Sequence, residues 1–135
     1  MIYVTRREVF SAAHRLHNEN ISDEENVEIY DKCNSINGHG HNYVLEVVVS
    51  GEIDDKTGYV IDLKILKKII KENIIVKVDH RHLNFDVDFL KGINPTTENV
   101  AVAFWNVLVD KIPNGKLHSI KLYETENNYV EYRGE

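Results

Sequence analysis

The chain has 135 residues, 42% of them hydrophobic and 28% charged, with a formal net charge of −6. That length suits one domain, residues 1–135, able to bury a core without staples, and the acidic balance argues against a general nucleic-acid binder, which would present a basic face. The single cysteine excludes an internal disulfide and a structural zinc site of two or four thiolates, leaving a free thiol that is either buried and inert or exposed and chemical.

The first residues, Met1 to Arg7, lack the apolar core of a signal peptide. No apolar run is long enough to cross a membrane. A cytoplasmic protein is expected.

Residues 2–13 are rich in β-branched and aromatic types and predict a first strand, which Phe10-Ser11-Ala12-Ala13-His14 closes. His14 falls on the same side as Phe10 and Ala12, and the small Ala12 and Ala13 leave room beside its imidazole. A structural histidine at a strand end and a ligand both fit. His17 lies in a polar stretch and reads as solvated. Residues 18–32 hold one or two helical turns, with Ser22 as N-cap, Glu25 as its capping-box partner, and Asp23 and Glu24 in the first turn. That segment delivers Cys33.

The stretch Lys32-Cys33-Asn34-Ser35-Ile36-Asn37-Gly38-His39-Gly40-His41-Asn42-Tyr43 carries the most chemistry. With 7 histidines in the chain, about 0.4 His-x-His pairs arise by chance, so the spacing alone is weak. In extended backbone, however, His39 and His41 point to one side, and two neutral imidazoles are half of a zinc site. Gly38 and Gly40 remove bulk beside His39 and open backbone angles closed to other residues. Asn37-Gly38 predicts a turn that folds Cys33 back towards the histidines.

Residues 42–53 predict the second strand, with Tyr43, Leu45, Val47 and Val49 on one apolar face and Val44 and Val48 partly filling the other. Apolar residues on both faces point to subunit assembly. Asp62 caps a helix over 63–76, whose Leu63, Leu66, Ile70 and Ile74 form a stripe opposite lysines. Val78 to Asn84 is expected as a loop containing Asp79-His80, a pairing found more often on solvated surfaces than in catalysis. A second helix opens at Pro95-Thr96-Thr97-Glu98, with Val100, Ala103, Phe104, Val107 and Leu108 at helical spacing. Strands 117–125 and 128–133 follow, joined by Glu126-Asn127. Glu124 continues the apolar face of Ile120 and Leu122 and needs a partner, structural or ligand, because burying it unpaired is costly. The order is β-β-α-α-β-β, an α+β fold with a four-stranded antiparallel sheet and two helices on one face.

Five motifs in order, Phe10 to Leu16, Lys32 to Tyr43, Asp79-His80, Thr96 to Asn99 and Tyr123-Glu124-Thr125, resemble the 6-pyruvoyltetrahydropterin synthase family. That family includes the 6-carboxytetrahydropterin synthases of the queuosine pathway, and the resemblance runs nearly end to end. It implies the tunnelling fold, in which subunits close their sheets into a barrel, here a homohexamer of two stacked trimers with sites between subunits. It implies one zinc ion per subunit on His14, His39 and His41, with a fourth position open to substrate oxygens. It makes Cys33 the base, Asp79-His80 and Glu124 a proton relay, and Glu124 with Thr96 and Thr97 the pterin contacts.

The implied substrate is 7,8-dihydroneopterin triphosphate, whose charge must be offset by local lysine or arginine in an acidic chain. Two carboxylate oxygens on Glu124 match the paired N–H donors on the pyrimidine edge of a pterin. The five-residue gap between Cys33 and His39 resembles the pyruvoyl-forming members, so a zinc-dependent lyase of tetrahydrobiopterin synthesis is the first reading. The 6-carboxy enzyme, which releases acetaldehyde from the same substrate, is the alternative. A non-catalytic pterin- or purine-binding module is the third.

Overall fold

The computed structural model describes residues 1–135. Strand β1 (Ile2–His14) runs antiparallel to β2 (His39–Gly51), β2 pairs with β4 (Lys116–Thr125), and β4 pairs with β5 (Asn128–Tyr132). The sheet has five strands in the order β3-β1-β2-β4-β5, not the four expected. The extra one, β3 (Arg81–His82), lies parallel to β1 at Ala12 and Ala13. Two residues carry no readable alternation, so the sequence gives only a loop there.

Helix α1 (Asp23–Tyr30) starts at Ser22, whose hydroxyl accepts from the Glu25 N–H at 3.1 Å, as the cap pattern predicts. A 3₁₀ turn, Asp31–Asn34, follows and carries Cys33. Helix α2 (Leu63–Ile70), capped by Asp62, passes through a π-helical turn (Lys71–Ile75) into α3 (Val76–Val78), two residues beyond the expected end. Leu66, Ile70, Ile74 and Val78 are buried, whereas Leu63, assigned to the stripe from its spacing, is 50% exposed. It is the first residue of the helix, ahead of the positions that reach the core. Helix α4 (Thr97–Leu108) buries Val100, Ala101, Ala103, Phe104 and Leu108 and leaves Val107 half-buried.

Alternation decides which sheet face is covered. Phe10, Ala12, Tyr43, Leu45, Val47, Val49, Ile120 and Leu122 are all buried and form one core with both long helices, α2 over β1 and α4 over β4 and β5. On the opposite face Val9 is exposed, Val44 half-buried and Val48 buried. Phe10 stacks on Tyr43 with ring centroids 4.8 Å apart and meets Phe104 edge-on at 5.9 Å. Such aromatic contacts add to the area they bury. This packing holds the β1–β2 pair rigid up to its histidine-bearing end.

Phe104→Ala is expected to cost roughly 3–5 kcal/mol of unfolding free energy. Leu63→Ala should stay within about 0.5 kcal/mol. Denaturant unfolding of the two variants beside the parent checks both, and a large loss at Leu63 would contradict its exposed placement.

Candidate metal centre

The β1–β2 register puts His14 opposite His39 and Ala12 opposite His41. All three imidazoles therefore reach the helix-covered face at one end of the sheet, and their ligand nitrogens lie within 4.8 Å of one another. Ala12, expected from the sequence to leave room beside His14, is paired with His41 and leaves space there. Gly38 is required: its φ is +79°, and a Cβ there would stand 2.8 Å from the His14 carbonyl oxygen and 2.9 Å from His82 Nε2. Gly40 has no such need, since its Cβ would meet only the Ala12 oxygen at 3.7 Å.

Hydrogen bonding fixes one tautomer. His14 is fully buried, and its Nδ1 lies 2.8 Å from the carbonyl oxygen of Pro95, which can only accept. Nδ1 therefore carries the proton and Nε2 presents a lone pair, 3.1 Å from His39 Nε2. Two ring nitrogens on a tetrahedral zinc, each bonded at about 2.0–2.1 Å, stand roughly 3.3 Å apart. His41 Nε2 is buried without a hydrogen-bond partner, as is His39 Nδ1. Burial, first, lowers the pKa of both His14 and His41; the neighbouring imidazoles add to the effect, while the Glu124 carboxylate and, for His14, the Pro95 carbonyl oppose it. Neutral imidazoles are the form that binds a metal. The three histidines are positioned to hold a metal ion, and their donor set is compatible with zinc.

Glu124 closes one side. Its Oε1 lies 3.6 Å from His41 Nε2 and its Oε2 3.9 Å from His14 Nε2. Thr97 Oγ1 donates to Oε2 at 2.6 Å, which supplies the structural partner this carboxylate needed. Thr96 spends its hydroxyl as the cap of α4, accepting from the Asn99 N–H at 3.2 Å. Tyr43, read from the sequence only as core, brings its hydroxyl to 3.3 Å from His14 Nδ1. Burial, with Glu124 adding, raises its pKa and keeps the phenol neutral.

The Cys33 thiol is half-buried and is not part of the three-histidine cluster. Asp79 and His80 stand apart from it as well. Asp79 Oδ1 accepts from the Ser11 N–H at 2.9 Å and lies 3.0 Å from His80 Nδ1; the Ser11 bond, first, and His80 lower the carboxyl pKa against a smaller opposing effect of burial. His80 is exposed and adopts φ 60°, unusual for a residue with a side chain, while its N–H donates to the Ser11 carbonyl at 2.6 Å. His80 and His41 line one open groove of about 510 Å³. His17, expected to be solvated, is half-buried and hydrogen-bonded to Asn34.

Fold and site together define a class, an α+β protein whose central strands position three imidazoles beside a carboxylate. The family model for 6-pyruvoyl tetrahydropterin synthase matches residues 3–135, and the chain belongs to that family. It is 50% identical over 132 residues to the 6-pyruvoyl tetrahydrobiopterin synthase of Homo sapiens, covering 98% of this chain and 91% of the human one. It is 32% identical to a 6-carboxy-5,6,7,8-tetrahydropterin synthase of Rickettsia typhi over 97% of this chain and 99% of that one. The solved structure of the Caenorhabditis elegans 6-pyruvoyl tetrahydropterin synthase superposes with a TM-score of 0.94 at 44% identity, covering 99% of this chain and 96% of that one.

The lowered pKa values of His14 and His41 carry a sign. In the unfolded chain these imidazoles take up protons near the ordinary value of 6.5, and in the fold they resist doing so. Their contribution is present above that value and is lost as pH falls through the lower folded values. The melting temperature of metal-free protein should therefore drop as pH is taken from 7.5 to 5.5, and less steeply in His14→Phe; equal slopes would contradict the assignment.

Proposed function

We propose that the protein is a zinc-dependent lyase that converts 7,8-dihydroneopterin triphosphate to 6-pyruvoyltetrahydropterin with elimination of triphosphate, serving tetrahydrobiopterin synthesis. The observation that carries this reading over the 6-carboxy alternative is the higher identity to relatives named for the pyruvoyl product. No helix is long and apolar enough to cross a membrane. The part-apolar outer sheet face is consistent with residues 1–135 acting as one domain of a homohexamer, a dimer of trimers.

His14, His39 and His41 would hold the zinc, one ion per chain. Bound there, zinc supplies Lewis acidity to oxygens of the substrate side chain. Cys33, outside the ligand set, takes a proton from that side chain. His80 returns a proton to the side chain. The Asp79 carboxylate holds its Nδ1, so that Nε2 is the nitrogen that exchanges. The side chain is oxidised as the pterin ring is reduced, and triphosphate leaves with the C–O bond that breaks. Glu124 takes the paired N–H donors of the pterin, and its bond from Thr97 keeps the carboxylate facing the metal centre. Thr96, the residue before Thr97 and the cap of α4, is proposed as a further pterin contact.

Zinc-loaded protein given 7,8-dihydroneopterin triphosphate should yield the 6-pyruvoyl product and free triphosphate by mass spectrometry. A 6-carboxy product with acetaldehyde would move the chain to the alternative, and no turnover with zinc bound would favour a pterin-binding module.

Cys33→Ala should abolish turnover, roughly 100-fold or more for loss of a general base, while zinc stays near one per chain. Loss of zinc in that variant would make the thiol a ligand instead.

A further inference from the structure

Strand β1 does not stop making ladder-like bonds at His14. Arg15 to Asn18 are irregular, yet each is gripped by a side-chain amide or a carbonyl standing in for a neighbouring strand. The Asn84 carboxamide takes both backbone groups of Arg15, accepting from its N–H and donating to its C=O at 2.8 Å each. Asn94 Oδ1 accepts from the His17 N–H at 3.1 Å, and Asn26 accepts from the Asn18 N–H at 2.8 Å. On the side facing the 3₁₀ turn, the Leu16 N–H donates to the carbonyl of Cys33 at 2.9 Å.

That last backbone bond has a companion. Asn34 Nδ2 donates to the Leu16 carbonyl at 2.8 Å and to His17 Nδ1 at 2.9 Å, while Arg15 Nε donates to the Asn34 carbonyl at 2.9 Å. Leu16 thus binds Cys33 through its N–H and Asn34 through its C=O. The side-chain amide of Asn34 mimics the strand N–H that a 3₁₀ turn cannot supply at that place. Asn34 is 8% exposed, so these bonds are made away from water, where leaving a donor unmade is costly. The outcome is a fixed offset between Cys33 and His14, two residues away along the segment that Cys33 is tied to.

We propose that Asn34 is a positioning residue that sets the place of the Cys33 thiol relative to the metal centre. Its carboxamide locks the Cys33 turn onto the continuation of the strand that carries His14. The proposal rests on the reading of Cys33 as the base.

The test is Asn34→Ala in the zinc-loaded protein. Expected are a kcat lower by roughly 10- to 100-fold, the scale on which small misplacements act, with KM and zinc content within about twofold of the parent. Because Cys33 is the only thiol, its alkylation rate by iodoacetamide reads the turn directly, and it should rise severalfold as the turn loosens. His17→Ala, at a half-buried site, removes one Asn34 acceptor without threatening the fold and should shift both readouts the same way by less. Parent-like kcat and alkylation in both variants, with Cys33→Ala inactive, would overturn this proposal alone. Parent-like turnover in Cys33→Ala would overturn the reading beneath it as well.

Discussion

Everything at the site depends on the register between β1 and β2. His14 faces His39 across the ladder, and His41 stands over Ala12. A slip of one residue would send each imidazole to the opposite face of the sheet, because side chains alternate with a period of two. The same register aligns Phe10 with Tyr43 and places Leu45, Val47 and Val49 under the helices. The apolar core and the histidine cluster are therefore specified by one alignment. A mispaired sheet would lose the burial of both, so hydrophobic packing protects the chemistry.

The electrostatic arrangement follows from that burial. Three imidazoles drawn together at the half-buried end of the sheet repel one another once protonated, and desolvation lowers the pKa of His14 and His41 and favours their neutral forms. A neutral, lone-pair-bearing cluster with two unpartnered ring nitrogens is a cavity for a cation, since an unmet buried polar atom is otherwise a cost. Glu124 adds a single negative charge within 4 Å of two of the nitrogens, and Thr97 keeps it turned that way. Pro95, immediately before the cap of α4, orients His14 through its carbonyl. The start of one helix thus serves two groups at the site.

The strands, both long helices and the three histidines were legible because each rests on a pattern that sequence preserves: alternation, helical spacing, capping residues and the His-x-His on a strand. Features that depend on contacts between distant residues were not. The parallel β3 is two residues long and forms only because Leu83 and His80 bond back to β1. The π turn after α2 leaves no mark in the spacing of Leu66, Ile70 and Ile74, all of which are buried. Gly38 and Gly40 look alike in sequence, yet only Gly38 bears a steric load. His17 sits among polar neighbours and looked solvated, yet a distant asparagine claims it. Tyr43 shows the limit from the other side: its place on the apolar face was plain, whereas its hydroxyl against His14 was not.

The groups divide by the kind of backbone that carries them. The histidines stand on paired strands, where the ladder leaves little freedom and a metal ion gains most from preorganised ligands. Cys33 and His80, the groups proposed to move protons, stand on a 3₁₀ turn and on a residue held at positive φ. Both are tied to β1 or to the residues that continue it: Cys33 to Leu16, just past the strand, and Asp79 and His80 to Ser11 within it. Ser11 offers its N–H to the Asp79 carboxylate and its C=O to the His80 N–H, so one residue of β1 fixes both members of that pair. The strand that carries the first of the three histidines, with the residues that continue it, is therefore also the reference against which the proposed base and the proposed acid are placed. A perturbation between Ser11 and Leu16 reaches the histidine cluster, Cys33 and His80 together, whereas one at the Glu124 end of β4 reaches the histidines through that carboxylate and leaves Cys33 and His80 untouched.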